Sequence, residues 1–201
     1  MLYTITYNRQ IHIIKNSAQR ILTAAFGWKT LIIIFSFLIT TGVYSQHGNT
    51  AFGSSSLLNN TTGALNSAFG YQSLYANTTG YTNSAFGYIS LANNTTGIEN
   101  SAFGENSLSN NTTGNTNSAF GSLSLYNNTI GNQNSAYGFG SLFSNTSGGQ
   151  NSSFGISSLY SNSSGVSNVA FGYSTLYRNT IGMQNSAFGN YALNNVTTGR
   201  N

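Results

Sequence analysis

Residues 66–82 read Asn66-Ser67-Ala68-Phe69-Gly70-Tyr71-Gln72-Ser73-Leu74-Tyr75-Ala76-Asn77-Thr78-Thr79-Gly80-Tyr81-Thr82, and at Asn83 the pattern begins again. Its aromatic marker recurs as Phe52, Phe69, Phe86, Phe103, Phe120, Phe154, Phe171 and Phe188, with Tyr137 in the one gap, so the period is 17 without slippage. Nine such units fill residues 49–201, with the consensus N-S-A-F-G-x-x-S-L-x-x-N-T-T-G-x-x. Asn49, Asn66, Asn83, Asn100, Asn117, Asn134, Asn151, Asn168 and Asn185 open the units. A second fixed column holds Leu57, Leu74, Leu91, Leu108, Leu125, Leu142, Leu159, Leu176 and Leu193. We number the columns 1 to 17 from the opening Asn. Glycine occupies columns 5 and 15, from Gly53 to Gly189 and from Gly63 to Gly199, which places 18 of the 23 glycines by position.

A fixed period of this length is the mark of an array in which each unit buries its apolar face only by stacking on its neighbours. Two glycines and Asn-Thr-Thr in every unit interrupt any helix, and the apolar columns 3, 4 and 9 form no helical stripe. The unit therefore predicts two short strands, one around Ser-Ala-Phe-Gly and one around x-Ser-Leu-x, with Asn-Thr-Thr-Gly as the turn. The fold expected is all-β, a parallel roll or solenoid of nine coils, each about 4.8 Å above the last. Equivalent residues then stack along the axis. Phe and Leu are expected as core ladders, and the opening Asn (Asn66, Asn83, Asn100 and their equivalents) as a hydrogen-bonded ladder. A coil with so little to bury is thin. The Ala column next to Phe, interrupted only by Ser153, lies on the opposite strand face and is expected to receive a partner chain.

The composition agrees. Only 4% of the 201 residues are charged, against roughly 25% in an ordinary globular domain. The formal charge of +4 comes from the first residues, where Arg9, Lys15, Arg20 and Lys29 all precede residue 30. Beyond Gln46, Arg178 and Arg200 balance Glu99 and Glu105, so no basic patch speaks for nucleic acid. Lys29 is followed by the apolar run Leu31 to Thr41 and by Val43-Tyr44-Ser45. This predicts a long signal peptide over 1–45, with its n-region at 1–29, its h-region at 30–42 and cleavage near 45/46, then a lead at 46–48 before the repeats at 49–201. A membrane anchor ranks second, because the run is shorter than the ~20 residues of a permanent span. The surplus length before residue 30 fits an over-extended start or a long n-region. The chain is thus expected to be secreted or at the cell surface, with no permanent span in the mature form.

Catalytic chemistry has little to work with. Cys is absent, which removes disulfides, thiolate metal sites and a Cys nucleophile. No Asp exists for a hydrolase triad or a calcium loop, and His47 alone cannot hold zinc. Glu99 and Glu105 occur once each at variable columns and read as solvated surface, while Gly138-Phe139-Gly140 matches a phosphate loop only in passing. Asn60-Thr61-Thr62 and Asn77-Thr78-Thr79 have the N-x-[ST] form but belong to the turn. Hence no enzyme, no cofactor and no metal are expected. Individuality resides instead in columns 6 and 10. Tyr71, Tyr88, Phe139, Ile156 and Tyr173 occupy the first; Tyr75, Tyr126, Phe143, Tyr160 and Tyr177 occupy the second. These columns are expected either to line contacts between chains or to face a sugar or protein ligand.

The N-S-A-F-G-x-x-S-L unit with its glycine turn resembles the N-S-x-A-I-G-x-x-A-x-A motif of YadA-like trimeric autotransporter adhesin heads. It is still more similar to the 17-residue N-T-A-F-G-Y-Q-A-L-x-x-N-T-T-G arrays of secreted Bacteroidetes proteins and tail-fibre-like proteins. The resemblance covers residues 49–201. It implies a left-handed parallel β-roll, three chains around one axis, Gram-negative export and attachment to a host or environmental glycan or protein. The YadA-like unit has 14 residues, so three more per coil fall near the turn. Neither stalk nor barrel anchor nor capping segment follows the last unit, which suggests a fragment or ends that join other chains. The function expected is an adhesin or fibre segment. Two alternatives stand beside it. One is an ice-binding solenoid, prompted by Thr61, Thr78, Thr95 and Thr112 but interrupted beside them by Ile130 and Ile181; the other is a self-assembling matrix filament.

Overall fold

The computed structural model describes residues 48–200; the expected signal segment, its cleavage site and His47 lie outside the described residues. Nine three-residue strands follow in order: β1 (Thr50–Phe52), β2 (Ser67–Phe69), β3 (Ser84–Phe86), β4 (Ser101–Phe103), β5 (Ser118–Phe120), β6 (Ser135–Tyr137), β7 (Ser152–Phe154), β8 (Val169–Phe171) and β9 (Ser186–Phe188). They form one parallel sheet in sequence order, with Ala68 opposite Ala85 and Phe69 opposite Phe86, and likewise throughout. The chain is an all-β parallel solenoid with 17 residues per turn. Every residue thus lies over its equivalent in the coil below.

The second expected strand does not form. Around x-Ser-Leu-x the backbone turns through the left-handed region at every second residue, with Gln72 at φ 54° and Leu74 at φ 51°, and the same holds in every coil. Such conformations cost non-glycine residues on the order of 1–3 kcal/mol each. Stacking offsets that cost, because the turned segment still bonds to its neighbours along the axis. Leu74 N–H donates to Ser90 O at 3.1 Å, and Gln72 N–H donates to Ser54 O at 3.0 Å. Column 5 has a double need for glycine. Gly87 sits at φ +142°, and a Cβ there would lie 2.5 Å from Gly104 O in the next coil.

Strand alternation decides what lies inside. Columns 1 and 3 point inward and columns 2 and 4 outward. The apolar core consists of the Ala column from Ala51 to Ala187 together with Leu57 to Leu176, most of them at 0% exposure. Two expectations are corrected here. Phe is not core: Phe52, Phe171 and Phe188 are 52%, 38% and 69% exposed, and the other rings of the column are only partly covered. Nor is the Ala face open to a partner chain, since it is the inner wall. The physical reason is volume. The interior already holds Leu from the opposite wall, two carboxamides per coil and the column-8 hydroxyl from Ser56 to Thr175, which leaves space for a methyl group and not for a phenyl ring.

Leu bears out its core assignment over the first eight coils, while Leu193 in the last is 36% exposed. Where Ser153 replaces Ala, the interior admits a hydroxyl by bonding it. Ser141 Oγ donates to Ser153 Oγ at 2.8 Å, and Ser153 Oγ bonds in turn to Ser158 Oγ.

Candidate functional site

Two asparagine ladders run the length of the solenoid and fix the spacing of everything on its surface. The first is the expected one at column 1. Asn66 backbone N–H donates to Asn49 Oδ1 at 2.8 Å, and Asn66 Nδ2 donates to Gly80 O at 2.8 Å. The second, at column 12, was not anticipated as a ladder. Asn77 Nδ2 donates both to Asn60 Oδ1 at 2.8 Å and to the same Gly80 O at 3.0 Å. Each column-15 carbonyl from Gly63 to Gly182 thereby receives two amides from its own coil, and the coils are tied through these asparagines each to the one before. The signal was present in the sequence as Asn in eight of nine units, but there it reads equally well as a turn residue.

Burial in the second ladder also settles the Asn-Thr-Thr motif locally. Asn77 is fully buried with its Nδ2 engaged, so it offers no glycosylation acceptor. The hydroxyl that follows this Asn is engaged as well in the first eight coils, as Thr or as Ser163; Thr78 Oγ1 donates to Thr95 O at 3.0 Å. In the last coil Val196 stands where the column has Asn. Asn179 Oδ1 consequently lacks the donor that every earlier member receives, and it is a buried acceptor without a partner, as is Asn185 Oδ1 one coil on.

Outside this scaffold lie the aromatic columns. From Phe69 to Phe188 eight rings stack in an unbroken row, at centroid distances such as 4.7 Å between Phe86 and Phe103 and 4.5 Å between Phe154 and Phe171. Interplanar angles of 2–9° make the rings nearly parallel. Their faces cover one another, so the row presents ring edges to solvent. Columns 1 to 5 carry no charged residue in any coil, so this ridge is uncharged along its whole length, and the Tyr137 hydroxyl is the one polar group on its eight rings.

Column 10 is a second, more covered row. Tyr126, Phe143, Tyr160 and Tyr177 stack in succession at 5.4, 4.9 and 5.1 Å, while Tyr75 stands apart from them across Ala92 and Ser109. Column 6 is open to solvent. Tyr71 stacks on Tyr88 at 5.3 Å, Phe139 and Ile156 are exposed, and Tyr173 meets Tyr191 edge to face at 5.2 Å. Desolvation, with Tyr173 as a further cause, raises the Tyr191 hydroxyl above its ordinary value. Within one chain, then, column 6 faces solvent and column 10 is half-buried. Glu99 and Glu105 are both exposed, and Thr116 Oγ1 lies 3.4 Å from Glu99 Oε2.

Among the described residues no helix is long and apolar enough to cross a membrane. No group of three or more His, Cys, Asp or Glu that could hold a metal ion occurs among them. In comparisons with protein-family profiles, curated proteins and solved structures, the chain matches none.

Proposed function

We propose that this chain is an extracellular attachment or fibre segment, exported by a Gram-negative, Bacteroidetes-like route, that acts through repeated surface contact and carries out no reaction. The observation that carries the proposal is the neutral ridge of eight stacked rings on the outer strand face. An apolar ridge of that length is uncommon on a monomer left in water and marks a surface made to be covered. In this reading the ridge is the seam of a homotrimer, with the left-handed coil and shared axis that the YadA-like resemblance implies. Columns 6 and 10 remain on the outside for a glycan or protein of the surface to which the assembly attaches. The seam moves from the Ala face to the Phe face for a simple reason: Ala68 and its equivalents are already fully covered within one chain.

The test is the mass of the chain in solution together with its adhesion to a surface. A trimer that falls apart when Phe86, Phe103 and Phe120 are replaced by Ser, with the β signal of circular dichroism retained, supports the seam. A strict monomer at all concentrations removes the trimeric model, and concentration-dependent fibres favour the matrix filament instead.

A further inference from the structure

One side chain breaks the uniformity of the outer ridge. Tyr137 stands in column 4 where every other coil has Phe, in the sixth coil of nine. Its ring keeps the order of the row, at 4.9 Å and 2° from Phe120 and at 4.6 Å and 5° from Phe154. The hydroxyl, at the far end of that ring, therefore stands out from the line of ring edges. Tyr137 is bonded through its backbone, as where Gly155 N–H donates to Tyr137 O at 2.8 Å, and its hydroxyl has no partner among the described residues. Within one chain, then, the hydroxyl does nothing that Phe would not.

Between chains it has consequences, because a ridge this regular leaves its register open. The rings repeat at 4.7 Å, so a partner with the same step can slide by one coil and lose only one ring contact of the eight. A second copy of this chain has that step by construction. Columns 1 to 5 of both copies are uncharged, so no repulsion opposes the seam and no ion pair fixes its height. Column 2, on the same outward face, adds little, since it is Ser in all coils but the first and the eighth, which carry Thr50 and Val169. Tyr137 removes the degeneracy. Where chains run parallel and level around one axis, symmetry brings equivalent residues to one height, and the hydroxyls meet. Each then donates to one neighbour and accepts from another. After a slip of one coil each hydroxyl faces Phe120 or Phe154 instead, and burial without a partner disfavours that alignment by about fivefold to a hundredfold per hydroxyl. Antiparallel chains with level ends set the sixth coil against the fourth, where the hydroxyl meets Phe103.

We infer that Tyr137 is the register residue of a seam between parallel copies of this chain, closing the aromatic ridge in one alignment through paired phenol hydroxyls. The inference rests on the homotrimer proposed above and adds the residue that aligns it. A seam without that hydroxyl still associates but staggers, and staggered copies leave free ridge at both ends, which continues as an open fibre.

The experiment compares the full chain with two variants by sedimentation velocity and electron microscopy. The unaltered chain is expected to give one discrete mass. Tyr137→Phe restores the usual residue of the column, so it should melt as before at concentrations below assembly, yet above them give a broad range of masses and fibres. The double variant Phe86→Tyr, Tyr137→Phe moves the hydroxyl by three coils and should regain a discrete mass. Refolded together with the unaltered chain, it should sort into separate assemblies, with mixed ones at least about fivefold below their random share. A discrete mass for Tyr137→Phe overturns the register residue while leaving the homotrimer intact; this is the result if Ser hydroxyls of column 2 satisfy the phenol at every height. A double variant that stays polydisperse, or that mixes freely with the unaltered chain, overturns it as well. An unaltered chain that is monomeric at all concentrations, or that itself forms staggered fibres, overturns the homotrimer and the register residue together, so the two failures are told apart.

Discussion

Asn111 lies in the middle of the column-12 ladder, and its replacement by Ala gives the most direct measure of what holds the coils together. Asn111 Nδ2 donates to Asn94 Oδ1 at 2.8 Å and to Gly114 O at 2.9 Å, while its Oδ1 accepts from Asn128 Nδ2 at 2.8 Å. Two of the three partners have a second bond. Gly114 O still receives Asn100 Nδ2 at 2.8 Å, and Asn128 Nδ2 still reaches Gly131 O at 3.0 Å. Asn94 Oδ1 has no such recourse and becomes a buried acceptor with no donor. The loss of three bonds at about 1 kcal/mol each, with about 1–3 kcal/mol for the orphaned acceptor, gives an expected destabilisation of about 4–6 kcal/mol.

The reverse substitution tests the same chemistry. Val196→Asn supplies the donor that Asn179 Oδ1 lacks and should stabilise the last coils by about 1–2 kcal/mol. The assay is urea unfolding followed by tyrosine fluorescence. Hydrogen exchange at Gly97 and Gly114 accompanies it, because a repeat array need not unfold in one step. Should Asn111→Ala cost less than about 1 kcal/mol, with exchange at those glycines unchanged, the ladder would not be what stabilises the coil.

Further expectations concern the inside, the outside and the backbone. Leu108→Ala should cost about 2–5 kcal/mol, whereas Phe103→Ala on the ridge should cost the single chain only about 1 kcal/mol, a ratio that thermal melts below the assembly concentration would check. Gly87→Ala meets both a forbidden φ and a carbonyl at 2.5 Å and should prevent that coil from closing. Gly140→Ser sits at φ +61°, where other coils carry side chains and the nearest atom is 3.4 Å away. It should cost about 1 kcal/mol or less by the same melts. Ser153→Ala restores the consensus, and because the hydroxyl it removes bonds only to two other hydroxyls and a carbonyl, stability should move by less than about 1 kcal/mol.

The sequence by itself determined the period, the number of coils, their parallel in-register stacking and the Leu and opening-Asn ladders, because a 17-residue recurrence without slippage admits no other alignment of neighbours. The break in column 6 at Glu105 and Ser122 was also in plain view. Tertiary structure decided which face of Ser-Ala-Phe is inside. Alternation places Ala and Phe on opposite faces but does not say which is which, and hydrophobicity alone favours the wrong one. The parity of the opening Asn held the clue, since column 1 shares its face with column 3, and a stacked carboxamide ladder is strongest away from water. Structure also decided that the segment through Leu74 is a left-handed turn and not a strand. No residue type there announces a positive φ; it is imposed by closing a 17-residue coil around an interior only wide enough for a leucine, an alanine, a serine and two asparagines.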